Sequence, residues 1–378
     1  MLIRHARVFT GAAFDGALCV RIDGGAAAEV GPDLTPRAGE EEMDLGGDIL
    51  LPGFVDVHIH GSGGFDAMRG EADVRGMSRF LRARGVAAFC PTTMSASRED
   101  TARALAGIGA VRRNPEPGGA LVPGAHMEAP FLNPQRAGAQ DPTFLTCPDP
   151  ALLPLLAEEQ VRLITLAPEL PGAEAFIRGA AALGIRVSLG HSAADAETVH
   201  RAADWGADHA THLFNASSPL RHRAPGLPGG VLADPRFYGE LICDGVHLHR
   251  DTVRLAAACL GPERALAVTD AMEAAGLPDG SYRLGGDPVL VRGGEARRPD
   301  GTLAGSVLTM EKALRWLILE AGIDPLTACR MVTANPAASI GEPLLGRIIP
   351  GSPLPLTRWS GDWEMLEVID SASDLSDR

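Results

Sequence analysis

Of the 34 basic side chains in this 378-residue sequence, only one, Lys312, is a lysine. Any chemistry that needs a lysine Schiff base or a lysine-derived metal ligand must therefore use that residue. The six cysteines (Cys19, Cys90, Cys147, Cys243, Cys259, Cys329) are scattered and form no C-x-x-C. That disfavours a disulfide or zinc-ribbon framework and fits free thiols in a reducing cytoplasm. No apolar run is long enough to span a bilayer. The opening "MLIRHARVFTGAAFDG" has no uninterrupted apolar segment after its first charges, so no signal peptide is expected and the cytoplasm is the expected location. Positive charge is also in deficit. A formal net charge of −14 disfavours nonspecific contact with nucleic acid or an anionic membrane, although one local arginine can still serve one phosphate.

What is present is a soluble enzyme-like composition, 45% apolar, in a chain long enough for one large barrel. From residue 50 onward, eight short apolar runs recur: "GFVDV", "VAAFC", "ALVPGAH", "VRLITLAP", "IRVSLGH", "DHATHLF", "GELICDG" and "RALAVTD". Helix-like patterns separate most of them, as at 72–84, 172–183 and 194–205. Apolar strands alternating with helices predict a parallel sheet, and eight units predict a TIM-type (β/α)8 barrel over 50–340. The ends read differently. Residues 1–49 and 341–378 carry short strand candidates among turns, and we expect one small β-sandwich domain built from both termini. Residues 369–378 are expected to be a frayed tail.

In such barrels chemistry sits at the carboxyl ends of the strands. There the sequence places His58 and His60 after the first run, His126 and Glu128 after the third, and His191 after the fifth. His212 follows the sixth, Asp244 and His247 the seventh, and Asp270 the eighth. Alternation puts His58 and His60 on one side of an extended strand, where they can hold a metal or simply be polar residues at a turn. A lone histidine after a strand is more often structural than a ligand. Several on one rim change that balance, because crowded carboxylates and imidazoles are costly without a cation. Imidazole and carboxylate donors with an open position suit catalytic zinc, with iron, manganese or cobalt as other fits.

His-x-His after the first strand, followed by His, His and Asp after the fifth, sixth and eighth, resembles the amidohydrolase superfamily. Within it, "MEAPFLNP", "SLGHS", "THLFNA", "APGLPGG", "CDGVHLH", "VTDAM" and "GTLAGSVLTM" resemble the N-acetylglucosamine-6-phosphate deacetylase family over residues 50 to 348. The lone Lys312 stands in a helical stretch away from any strand end, so the subtype bridged by a carboxylated lysine is not expected. Glu128 supplies the carboxylate instead. The resemblance implies Glu128, His191 and His212 as ligands of a principal divalent metal, with His58 and His60 deciding whether a second ion binds. It implies Asp270 as the proton carrier and His247 as the group that polarises the carbonyl. Ala139, Gln140, Asn215, Ala216, Arg223, Asp244, Gly245, Val246, His247, Leu303, Ala304 and Gly305 are implied to contact a phosphorylated amino sugar. Arg223 would reach across the interface of a homodimer.

Three places depart from the family pattern. The usual Glu-Gly-Pro is Glu128-Ala129-Pro130, Gln140 replaces a substrate-contacting histidine, and the Ala-Asp-Leu that begins the closing strand of the small domain is missing. The Gln140 change leaves room for N-acetylgalactosamine 6-phosphate, an unphosphorylated N-acetylhexosamine or an N-acyl-D-amino acid as substrate. A noncatalytic barrel used for assembly is the reading from another class, disfavoured because Glu128, His191, His212 and Asp270 are all present. His209 and His222 match no family ligand and are expected to be structural or solvent-facing, and His200 to lie at the surface.

Overall fold

The computed structural model describes residues 1–370; positions 371–378 lie outside the described residues. All eight apolar runs are parallel strands of one sheet. They are β1 (Phe54–Ile59), β2 (Val86–Thr93), β3 (Ala125–Met127), β4 (Val161–Leu166), β5 (Arg186–Leu189), β6 (His209–Ala210), β7 (Tyr238–Ile242) and β8 (Ala265–Val268), each paired with its sequence neighbour. Nearly every residue of these strands is buried, which is why they read as continuous apolar runs rather than alternating ones. The ends of β8 and β1 meet at the rim. There the Asp270 N–H donates to the His58 carbonyl at 2.9 Å, and the His60 N–H to that of Ala271 at 2.9 Å. The barrel is thus drawn closed through residues that carry the chemistry.

Local signals place the helices between strands. Ser97 and Asp195 cap helices Arg98–Arg113 and Ala196–Trp205 by accepting the N–H of Asp100 and Thr198. Helix Glu71–Arg82 buries Val74, Met77 and Leu81 on one face and keeps its arginines outward. Lys312 is exposed on helix Met310–Leu319, remote from the strand ends.

Both termini contribute to two five-stranded sheets. One joins Ser352–Pro353, Ala26–Gly31, Cys19–Asp23, Leu2–Arg4 and Glu42–Asp44; the other joins Met365–Ile369, Leu356–Trp359, Ile49–Pro52, Arg7–Phe9 and Phe14–Asp15. Ile3, Val8, Val20, Ile22, Leu50, Leu356 and Ile369 pack into one apolar cluster between them. Phe54 of β1 meets Trp359 edge-on at 6.1 Å, so the sandwich is seated on the barrel base. Ile369 closes its strand and Asp370 accepts from Arg82 at 2.8 Å, which corrects the expectation of fraying from residue 369. The rest of that expected tail lies outside the described residues.

After β8 comes a three-stranded antiparallel sheet that no continuous apolar run announces, Gly280–Leu284, Asp287–Arg292 and Glu295–Arg297. It packs Leu284, Val289, Val291 and Ala296 against Met94, Met272 and Ala304, roofing one side of the barrel mouth.

Candidate active site

Three donors converge at the carboxyl end of the barrel. His191 follows β5 and His212 follows β6, and their Nε2 atoms stand 3.0 Å apart. Both approach one oxygen of Glu128, just after β3: Glu128 Oε1 lies 3.1 Å from His191 Nε2 and 3.0 Å from His212 Nε2. All three side chains are buried. Two ring nitrogens and a carboxylate oxygen turned to one point form a donor set of the His2Glu kind that zinc takes in hydrolases. The other nitrogen of His191 is engaged by the Arg136 carbonyl at 2.8 Å, which fixes the ring.

A second group adjoins the first. His60 Nε2 is 3.3 Å from Glu128 Oε2 and 3.1 Å from Asp270 Oδ1. His58 Nε2 is 3.5 Å from Glu128 Oε1 and from Asp270 Oδ1, and has no hydrogen-bond partner although fully buried. His58, His60 and Glu128 thus form a further set able to hold a cation. Burial alone would discharge His60, but hydrogen bonds and attraction from Asp270 and Glu128 outweigh it and push its pKa up to about 10. Burial likewise opposes charge on Glu128, yet His58 and the hydrogen bonds of His191, His212 and His60 hold it well below the usual carboxylate range. This much compensating charge in one buried place is what a divalent cation can exploit.

The backbone is bent to make this possible. His191, His212 and Asp270 are non-glycine residues with φ of +47°, +26° and +47°. Such conformations cost about 1–3 kcal/mol each and persist only where the surrounding structure imposes them. Gly305 (φ +62°) lies against Asp270, where an added Cβ would stand 3.0 Å from that residue's carbonyl oxygen. Below the rim a hydrogen-bonded layer fills the barrel. His126 Nε2 meets Thr165 Oγ1 at 2.8 Å, Thr165 meets Thr211 at 2.8 Å, and Ser188 meets Thr211 at 2.6 Å. Thr269 donates to Asp56 at 2.5 Å.

Above the cluster opens a cavity of about 240 Å3, lined by His60, Glu128, His191, His212 and Asp270 and also by Ala139, Gln140, Asn215, Ala216, His247, Leu303 and Gly305. His247 is set by Asp244, whose Oδ2 accepts from Nδ1 at 2.7 Å. Burial opposes charge on His247, but Asp244 outweighs it and raises its pKa. Gln140 donates to Glu128 Oε2 at 2.5 Å and accepts from the Ser95 N–H at 2.6 Å.

Other residues named from sequence are not on the cavity wall. Asp244, Gly245 and Val246 stand behind His247, Ala304 is packed in the apolar cluster under the roof, and His58 lies beneath the wall. Arg223 is exposed, pairs with His222 at 2.8 Å, and does not face this cavity. His209 is buried on Asp208 at 2.6 Å, while His200 is half-exposed and bonded to Asp234 at 3.1 Å. Met94, Leu284 and Thr302 also line the cavity; Leu284 belongs to the roof, and Thr302 adjoins Leu303 in the motif GTLAGSVLTM. Glu240, fully buried in β7 and bonded to His58 Nδ1 at 2.9 Å, was passed over. Its signal was an acid in the middle of "GELICDG", where every other position of the strand is apolar or glycine apart from Asp244 at its end.

Residues 49–371 match the model of the amidohydrolase family. The chain is 38% identical over 309 residues to N-acetylgalactosamine-6-phosphate deacetylase of Escherichia coli O157:H7, covering 80% of this chain and 81% of that protein. It is 37% identical over 303 residues to N-acetylglucosamine-6-phosphate deacetylase of Bacillus subtilis, covering 78% and 76%. Among solved structures, a mutant N-acetyl-D-glucosamine-6-phosphate deacetylase from Mycobacterium smegmatis in complex with N-acetyl-D-glucosamine-6-phosphate superposes with a TM-score of 0.90 at 32% identity, covering 97% of each chain. With its barrel, its rim of histidines and carboxylates and these relatives, the chain belongs to the amidohydrolase family.

Proposed function

We propose that the protein is a metal-dependent deacetylase that hydrolyses the acetamide of N-acetylglucosamine 6-phosphate to glucosamine 6-phosphate and acetate, a step of amino-sugar catabolism. The observation that carries this reading is the convergence of Glu128, His191 and His212 on the floor of a cavity that Asp270 and His247 also line. A divalent cation held there, zinc by its donor set, supplies Lewis acidity, polarising the amide carbonyl and acidifying water.

The chain's own groups do the rest. Asp270 accepts the proton of the attacking water and returns it to the amide nitrogen, which must be protonated to depart. Lying 3.1 Å from His60 Nε2, the Asp270 carboxylate stands at the cavity floor for both transfers. With Nδ1 bound to Asp244, the charged ring of His247 presents Nε2–H to the developing oxyanion, and the raised pKa favours that charged form. Asn215, Ala139, Ala216, Leu303 and Gly305 wall the sugar. Arg223, exposed and outside its own cavity, is assigned to the phosphate of a second copy's substrate in a cytoplasmic homodimer, as the family resemblance implies; its fork suits phosphate better than an ammonium would. All six cysteines are free, which accords with a reducing compartment.

The test is acetate release by the metal-loaded protein from N-acetylglucosamine 6-phosphate, its galactosamine epimer and unphosphorylated N-acetylglucosamine, with zinc counted per chain. The glucosamine phosphate should give the highest kcat/KM. A higher value for the epimer would move the assignment to the E. coli relative's substrate, and turnover only of unphosphorylated compounds would overturn it.

A further inference from the structure

The reaction as proposed makes no use of Glu240. The residue lies within β7, inside the barrel and beneath the rim, fully buried. A buried carboxyl group is costly unless its oxygens are engaged. Oε2 is engaged twice, accepting from His58 Nδ1 at 2.9 Å and from the His212 backbone N–H at 3.1 Å, while Oε1 has no partner. Oε2 therefore carries every side-chain hydrogen bond that Glu240 makes.

The consequence falls on His58. With Nδ1–H donated to Glu240, the neutral ring carries its lone pair on Nε2. That atom has no hydrogen-bond partner and faces Glu128 Oε1 and Asp270 Oδ1, both at 3.5 Å. His60 Nε2 faces the same two carboxylates from the other side. We infer that Glu240 is a positioning residue of the cluster, fixing His58 as an Nε2 donor toward the second-cation position that the family resemblance already implies at His58 and His60. The inference rests on the metal-dependent reading above. Glu240 acts through His58 as carboxylates behind metal-bound imidazoles do, holding the ring's orientation and strengthening its donor atom. By gripping the His212 N–H as well, it ties the two halves of the cluster to one group. The neighbouring triple of His58, His126 and Glu240 is not a third such site. His126 commits Nδ1 to the Val57 carbonyl at 3.1 Å and Nε2 to Thr165 Oγ1 at 2.8 Å.

Graded chelator competition on the zinc-loaded full chain, with zinc counted at each step, tests this. The wild type should release two Zn2+ per chain in separate steps. Glu240→Gln keeps an oxygen for the His212 N–H but loses the charge, so its weaker zinc should bind about 10–100-fold more loosely while its tighter zinc is unchanged. Equal retention of both ions in the variant, equal weakening of both, or a single zinc in the wild type overturns the inference. A wild type that binds no zinc removes the metal-dependent reading itself. Should E240Q not fold, 15N resonances of histidine-labelled, zinc-loaded wild type decide, with His58 assigned by comparison with His58→Gln. The metal is needed because, without it, burial is outweighed by Asp270, Glu240 and Glu128, which raise the His58 pKa to about 9 and leave both ring nitrogens protonated. Protonation at Nδ1 is expected, and protonation at Nε2 alone overturns the proposal.

Discussion

Gln140 and Glu128 are joined by an amide-to-carboxylate hydrogen bond of 2.5 Å, and the other end of the same amide is held by the Ser95 N–H. Both ends of the glutamine are thus engaged by the protein, on the oxygen of Glu128 that faces His60 rather than the one shared by His191 and His212. Gln140→Ala should therefore lower kcat about 10–100-fold and loosen zinc, with KM changed only a few-fold. Steady-state kinetics with a zinc count decide the matter. A rise in KM at constant kcat would instead assign the side chain to the substrate, as the sequence reading had it.

Glu128→Gln removes the charge on which His191 and His212 converge. The variant should purify without stoichiometric metal and lose at least about 10³-fold in acetate release, losing transition-state stabilisation of the size a polarising group supplies. Elemental analysis beside the activity assay checks both. Full activity in a metal-free variant would contradict the role given to Glu128.

Asp270→Asn should behave differently. Its oxygen stays beside His60 but no longer takes a proton, so kcat should fall about 10²–10⁴-fold while the zinc bound by Glu128, His191 and His212 is retained. Loss of metal together with activity would make Asp270 chiefly a ligand.

Arg223→Ala should raise KM for the phosphorylated substrate about 10–100-fold, the size of a lost charge-assisted hydrogen bond, with kcat little changed. Unphosphorylated N-acetylglucosamine should be indifferent to the change. Sedimentation of the wild type as a monomer would remove the cross-subunit placement.

Far from the site, Arg21 binds Glu40 through Nε at 2.7 Å and Nη2 at 3.0 Å, and these hydrogen bonds hold the Glu40 carboxyl down at about 2 against its ordinary value of 4.5. Between those values the unfolded chain binds more protons than the folded one, so stability rises with pH through that window. The contribution is complete above about 4.5 and is lost as pH falls through about 2. Thermal melts of Arg21→Met against wild type should show a gap in Tm at pH 7 that narrows below pH 4.5. A gap independent of pH would mean the pair acts through packing alone.

The barrel is legible in the chain alone, because a strand buried on both faces must be apolar along its length, and eight such runs stand in the sequence. The sequence also placed His191, His212, Glu128 and Asp270 together, since strand ends in a closed parallel barrel all open on one rim. What lay outside its reach was direction and distance. Gln140 lines the cavity where a substrate contact is expected, but that its amide also bridges Ser95, from a distant loop, to Glu128 cannot be read from the chain. The short strands of the roof alternate polar and apolar residues, since one face is wet, and leave no run to notice. Glu240 looked like a stray acid in an apolar strand until closure of the barrel put it under His58 and His212, 182 and 28 positions away. Local composition records what a residue is buried in; only the tertiary structure decides which partner shares that burial, because hydrogen bonds between strands depend on register and closure rather than on neighbours in the chain.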